Sequence, residues 1–248
     1  VFLFASCGFD GGDRTLEEIA EHDYQVDPSA TLSLSNEDGS IRIYGADIKE
    51  IKLQAIKKAY SAERLSKISV NVSAGPDAVS IETSYPPKKR WGLGDRSGTV
   101  DYILVVPQTC KISKVNLGSG EILIEGMRGE SVDAHLKTGR LFGHNCFGRV
   151  HLSVVNGGID IFYDWWEQRK FSIEAEIENG GIHAFIPSEA SFHLIAETED
   201  GRIANDFAEK EQRHADDRKI DMLIGAAPEP EVKLLARDGN VMIVETNP

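Results

Sequence analysis

Cysteine is scarce here, with three in 248 residues, none in a Cys-x-x-Cys pair and none at metal-ligand spacing from a histidine. That argues against a zinc scaffold and a dithiol redox site. No apolar run reaches 18 residues, so the residues present encode no membrane-spanning helix. Basic side chains are also few: 27 Lys and Arg stand against 40 Asp and Glu, a net charge of −13. Such a field opposes phosphate backbones, whose binding needs neutralisation by Lys and Arg. The one basic cluster, Lys88-Lys89-Arg90, follows Pro86-Pro87 in a loop-like stretch, so nucleic acid is not an expected partner. Gly118-Ser119-Gly120 lacks the lysine of a phosphate loop, and no Gly-Gly-x-Gly-x-Asp calcium repeat occurs. His135, His144 and His193 do not converge at ligand spacing. No metal and no cofactor is therefore expected.

What the chain does have is a recurring turn. Asp38-Gly39-Ser40-Ile41, Ser119-Gly120-Glu121-Ile122, Thr138-Gly139-Arg140-Leu141, Asn156-Gly157-Gly158-Ile159, Asn179-Gly180-Gly181-Ile182, Asp200-Gly201-Arg202-Ile203 and Asp238-Gly239-Asn240-Val241 share one pattern. The glycines are separated by 81, 19, 18, 23, 21 and 38 residues, so 38 reads as about two units and 81 as about four. Apolar and polar residues alternate before the glycine, as in Leu152-Ser153-Val154, and after it, as in Ile159-Asp160-Ile161. Period-two alternation marks half-buried strands. The position one past the glycine is polar or glycine, and the position two past it is always aliphatic. The expected fold is all-β: a β-solenoid of stacked, roughly 20-residue strand-turn-strand repeats, with that aliphatic position as a continuous buried column. The competing arrangement is a sandwich of ordinary hairpins with two-residue turns.

Leu32 to Gly45, the strand Val100 to Pro107, the later Gly-x-aliphatic units and the closing Leu234 to Ile243 carry a resemblance. From about Tyr24 onward the chain resembles the bacterial putative-adhesin family of β-strand repeats, largely a domain of unknown function. The resemblance implies a β-repeat fold and an adhesin-like role. The start, Val1 to Gly12, lacks an initiator Met and resembles the end of a secretory signal, specifically a lipobox, in which Ala5 and Ser6 precede an acylated Cys7. Phe4 stands where leucine is more usual. A fragment boundary in an apolar segment is the other explanation. The expected organisation is residues 1–23 as signal remnant, lipidation site at Cys7 and tether with a short helical stretch at 15–23, then residues 24–248 as the β-repeat domain. Cys110 and Cys146, ten before and seven after repeat glycines, read as buried free thiols. A disulfide between them is open to an exported protein but has no support in the spacing.

Strands are expected around 31–35, 41–44, 50–57, 68–73, 78–84 and 100–106, with 55–65 an alternative short helix and 206–219 a charged, helix-like insertion. The insertion Phe162 to Lys170 interrupts the repeat. Its Tyr163, Trp165 and Trp166, beside Asp164 and Glu167, are candidate ligand-binding residues, with Trp91 in a separate loop. Aromatic faces beside carboxylates suit sugars, because rings cover C–H faces and acids accept hydroxyl protons. The competing role for these rings is to cover the end of the core. Asp160 and His183 share a column three past their glycines on consecutive repeats, close enough for an acid–base pair, yet their column lines no cleft and a surface ion pair is the simpler reading. No catalytic residue is assigned.

The expectation is thus a non-enzymatic, exported binding or scaffold module of the bacterial envelope, lipid-anchored, with polysaccharide or another surface protein as partner. The alternatives are a β-helix carbohydrate lyase or hydrolase and a self-assembling structural solenoid.

Overall fold

The computed structural model describes residues 15–86, 98–208, 218–226 and 229–247. Among these the chain is all-β, with fifteen strands and one short helix. In chain order they are β1 (Leu16–Gln25), β2 (Thr31–Ala46), β3 (Glu50–Ala59), α1 (Ala62–Lys67), β4 (Ser69–Ala74), β5 (Ala78–Ser84), β6 (Thr99–Pro107) and β7 (Lys111–Glu125). Then follow β8 (Ser131–His144), β9 (Arg149–Phe162), β10 (Ser172–Pro187), β11 (Phe192–Asp200), β12 (Ile203–Asn205), β13 (Lys219–Ile224), β14 (Glu231–Asp238) and β15 (Val241–Thr246).

The glycine does not close a hairpin. In β2, β7, β8, β9 and β10 it bends one continuous strand into two arms, and each arm bonds in parallel to the same arm of the neighbouring strand. Gly139, with φ at +137°, shows why the residue is needed: a left-handed backbone at the bend admits no ordinary side chain. Glycine lies on glycine, with Gly39, Gly120, Gly139, Gly157 and Gly180 in one register. The hairpin-sandwich arrangement is thereby excluded for these strands.

The aliphatic column is present. Ile41, Ile122, Leu141, Ile159, Ile182, Val241 and Ile203 stand side by side on adjacent strands and are all buried. On the other arm Val132, Val150, Ile173, Val232 and Leu194 form a second buried column. Parallel sheets are usually covered on both faces by helices. Here the bend folds one open sheet over its own core, so each strand needs apolar residues on one face only.

Two spacings in the sequence mislead. Gly120 packs directly against Gly39, so the 80 residues between them hold no stacked units of the same kind. They form an end layer instead: β5 pairs with the first arm of β2, β6 with its second, and β4, β3 and β1 extend outward antiparallel. The 38-residue gap is likewise not two units. After β12 the chain turns back through β13, and β14 and β15 insert between β10 and the β11–β12 pair. Stacking depends on edge matching, not on chain order, and the Gly239 bend fits Gly180 on one side and Gly201 on the other.

Residues 16–25 form an edge strand, not a helix. Backbone pairing with β3 over all ten residues outweighs the helical propensity of Leu-Glu-Glu-Ile-Ala. The helix in the 55–65 region is real but displaced: β3 runs to Ala59, and α1 starts after Ser61, whose hydroxyl caps Arg64 N–H. In the expected helical insertion at 206–219, residues 206–208 form a turn and β13 begins at Lys219, while 209–217 lie outside the described residues.

Candidate functional site

The insertion after β9 leaves the second arm at Phe162 and crosses the corner where each strand turns back toward the next first arm. Tyr163 is buried there, its hydroxyl donating to the Cys146 carbonyl. Its ring meets Phe147 and Trp166 edge-on, both at 5.2 Å. Trp166 is half-buried against Phe171 and Phe192, and its indole N–H donates to the Ser191 carbonyl at 3.1 Å. These two rings cover the end of the core and satisfy their own polar atoms, as buried aromatics must.

Trp165 differs. It is 43% exposed, tilted over Phe147 at 5.8 Å, with its indole N–H donating to Glu167 at 3.2 Å. Glu167 in turn accepts both arms of the Arg128 guanidinium, which lies over the other side of the same cluster, 5.1 Å from the Phe147 ring centre. That fork holds the Glu167 carboxyl below its usual range. Asp164 is fixed by Asn145, which takes a left-handed backbone (φ +50°), donates from its amide to Oδ2 at 2.9 Å and accepts the Asp164 N–H at 3.0 Å. His144 adds a contact at 2.8 Å, and these bonds lower the Asp164 carboxyl. An open indole thus sits beside Glu167, and both neighbouring carboxylates are hydrogen-bonded in their ionised form, which lowers their pKa values. Trp91 and Cys7 lie outside the described residues.

Asp160 and His183 are register partners and touch, Nδ1 to Oδ1 at 2.9 Å. Asp160 is no surface residue, however: it is 3% exposed, and Arg140 reaches diagonally from β8 and donates to Oδ2 at 2.9 Å. Column arithmetic found the pair and missed Arg140, whose own register partner is Gly158. The same arithmetic missed His151, Glu174 and Glu176, whose donor atoms lie within 4.8 Å of one another. The Lys233 ammonium already pairs with Glu174, and its pKa is raised by that bond and by the neighbouring glutamates. A lysine so placed does the neutralising work a cation would do. Cys110 and Cys146 are buried and free.

A family model matches residues 23–244, described as Toastrack DUF4097, a domain of unknown function. The chain belongs to the Toastrack DUF4097 family. This Toastrack chain is similar to a solved structure described as a putative cell adhesion protein from Clostridium sporogenes. The two share 18% identity over 92% of this chain and 100% of that one, with a TM-score of 0.51, a likeness of fold alone. A putative adhesin from Bacteroides fragilis is 10% identical over 92% and 97% of the two chains, with a TM-score of 0.29. A putative lipid binding protein from Parabacteroides distasonis is 11% identical over 90% and 96%, also with a TM-score of 0.29. No curated protein matches the Toastrack chain. Among its described residues no helix is long and apolar enough to cross a membrane.

Proposed function

We propose that this chain is a non-catalytic binding module of the bacterial envelope, built as a short β-solenoid, with polysaccharide as its ligand. The in-register strands and glycine-on-glycine bends support the architecture, since stacking of this kind yields a stiff, extended surface. The observation that carries the role is Trp165: one exposed indole, backed by Phe147, flanked by Asp164 and Glu167 in fixed positions. Its open face suits the C–H face of a sugar, and the carboxylates suit hydroxyl donors. Export and anchoring through Cys7 rest on the Ala5-Ser6-Cys7 pattern, and radiolabelled fatty acid incorporated into wild type but not Cys7→Ser is the test.

End-to-end polymerisation is disfavoured by β1, the edge strand at one end of the sheet. It carries Glu17, Glu18, Glu21 and Asp23, and charged edge strands resist pairing. To test the binding role, the Cys7→Ser chain is incubated with envelope and extracellular polysaccharides, following retention and new chain ends together. Retention without cleavage, lost in Trp165→Ala, is expected. Cleavage sinks the non-catalytic reading, and retention indifferent to Trp165→Ala removes the site.

A further inference from the structure

The column one past the bending glycines runs, in spatial order, Ser40, Glu121, Arg140, Gly158, Gly181, Asn240, Arg202. Five of these strands carry a polar side chain at this position and the two central ones carry none. At the bend itself glycine is compulsory: a Cβ on Gly157 would lie 1.8 Å from the Gly139 carbonyl oxygen. At Gly158 and Gly181 nothing compels it. Neither has a positive φ, and added Cβ atoms would approach nothing closer than 3.8 Å and 3.6 Å. The fold tolerates side chains here, and the chain leaves bare backbone on two adjacent strands. Glycine without a conformational reason marks a place where something approaches the backbone closely.

What borders the bare patch is polar and oriented. Arg140 stands on one side, its side chain 61% exposed, with one guanidinium nitrogen on Asp160 and its remaining N–H donors free for another acceptor. His183 stands beside it. Its Nδ1 is tied to Asp160, and its Nε2 lies 3.6 Å from where a Gly181 Cβ would be, so that nitrogen faces the patch. Buried Asp160 holds both groups in place. Across the patch is Asn240, whose side-chain oxygen is bound to Arg202 N–H. Asn240 also lines a cavity of about 470 Å³ together with Asp200, Gly201, Arg202 and Arg218. From Arg140 on β8 to Arg202, immediately before β12, is four strand spacings of ~4.8 Å, about 19 Å.

Between Glu121 at one end and Asp200 at the other, the Arg140 guanidinium, the His183 imidazole and the Asn240 amide therefore border a floor without side chains. A guanidinium fork matches a carboxylate, the imidazole and amide suit hydroxyls, and a floor without side chains admits a flat ring. We propose that the Gly158–Gly181 shelf between Arg140, His183 and Asn240 binds a carboxylated saccharide chain of the uronate type. The proposal rests on the reading of this protein as a polysaccharide-binding module and adds a second site, on a different corner from Trp165.

Calorimetric titration of the Cys7→Ser chain with tetragalacturonate, and with cellotetraose as the neutral counterpart, tests it. Saturable binding of tetragalacturonate but not of cellotetraose at this site is expected. Gly158→Ser/Gly181→Ser, which fills the shelf, should weaken it at least tenfold while the melting temperature stays within about 2 °C of the parent. Arg140→Lys, which keeps the charge and loses the fork, should weaken it similarly. Absence of tetragalacturonate binding, or binding that survives both variants, overturns the shelf. If the double variant melts far lower, the glycines are structural, and undiminished binding by Arg140→Lys then overturns the site. Retention of neutral polysaccharide through Trp165 with no effect of the shelf variants leaves the module standing and removes only this site. Failure of every polysaccharide removes both.

Discussion

Gly139 packs so closely on Gly120 that a Cβ on Gly139 would lie 1.8 Å from the Gly120 carbonyl oxygen. Its φ of +137° adds a second obstacle to any side chain. Gly139→Ala should cost about 3 kcal/mol or more, strain and backbone clash together, whereas Gly158→Ala should stay within about 0.5 kcal/mol. Urea unfolding midpoints of the two variants check the contrast. Equal effects would mean that the bend does not depend on contact between neighbouring strands.

The aliphatic column makes its own prediction. Ile159 is fully buried between Leu141 and Ile182 on the adjacent strands. Ile159→Ala removes three carbons where regular strand pairing prevents collapse, so a loss of about 2–5 kcal/mol is expected. Chemical denaturation with an unchanged slope would show that native-state stability, not compactness, had altered.

Trp166 and Trp165 are adjacent in sequence and opposite in consequence. Trp166 is packed among Tyr163, Phe171 and Phe192, and its truncation should destabilise by roughly 3 kcal/mol. Trp165→Ala should cost less than about 1 kcal/mol, since its ring is already open to solvent on one side. Thermal melts of both variants, run beside polysaccharide retention, separate packing from binding.

Cys110 and Cys146 should be chemically silent. Burial pushes both thiols up to about 11, each S–H facing a backbone carbonyl, Ala30 and Ile124 respectively. A thiolate is the reactive form, so at about pH 8 the folded Cys7→Ser chain should release no chromophore from a disulfide reagent such as DTNB. Two equivalents should appear only after unfolding. Rapid labelling of the folded chain would contradict the buried placement.

The Arg128–Glu167 fork predicts the direction of an acid effect. Glu167 has a folded pKa below its ordinary 4.5, so its stabilisation is complete above that pH and fades as pH falls through the lower folded value. Glu167→Gln should lose less stability than wild type as the pH falls below 4.5. Parallel acid limbs in urea titrations across that range would argue that the fork contributes nothing.

Much of this was legible in one dimension. The strand pattern, the bending glycine and the aliphatic residue two past it are local rules, and Ile41, Ile122 and Leu141 could be aligned by counting. Counting failed where the chain left order: the intervals of 81 and 38 residues suggested more units, but one holds a mixed end layer and the other the antiparallel strand β13 and the out-of-order strand β14. It failed again at residues 16–25, where a helical composition yields to an available sheet edge. The candidate site was half legible. Asp160 and His183 share a column, but Arg140 arrives on a diagonal that column alignment does not represent.

By itself the sequence determined the β class, the place of each bend and which side of each arm faces the core, because these follow from period-two alternation and from glycine's freedom at positive φ. Only the tertiary structure decided the order of the strands, the burial of Tyr163 and Trp166 against the exposure of Trp165, and the bare shelf beside Arg140 and His183. Those depend on which edges meet across tens of residues, and hydrogen-bonded edges of one kind are interchangeable until side-chain packing selects among them.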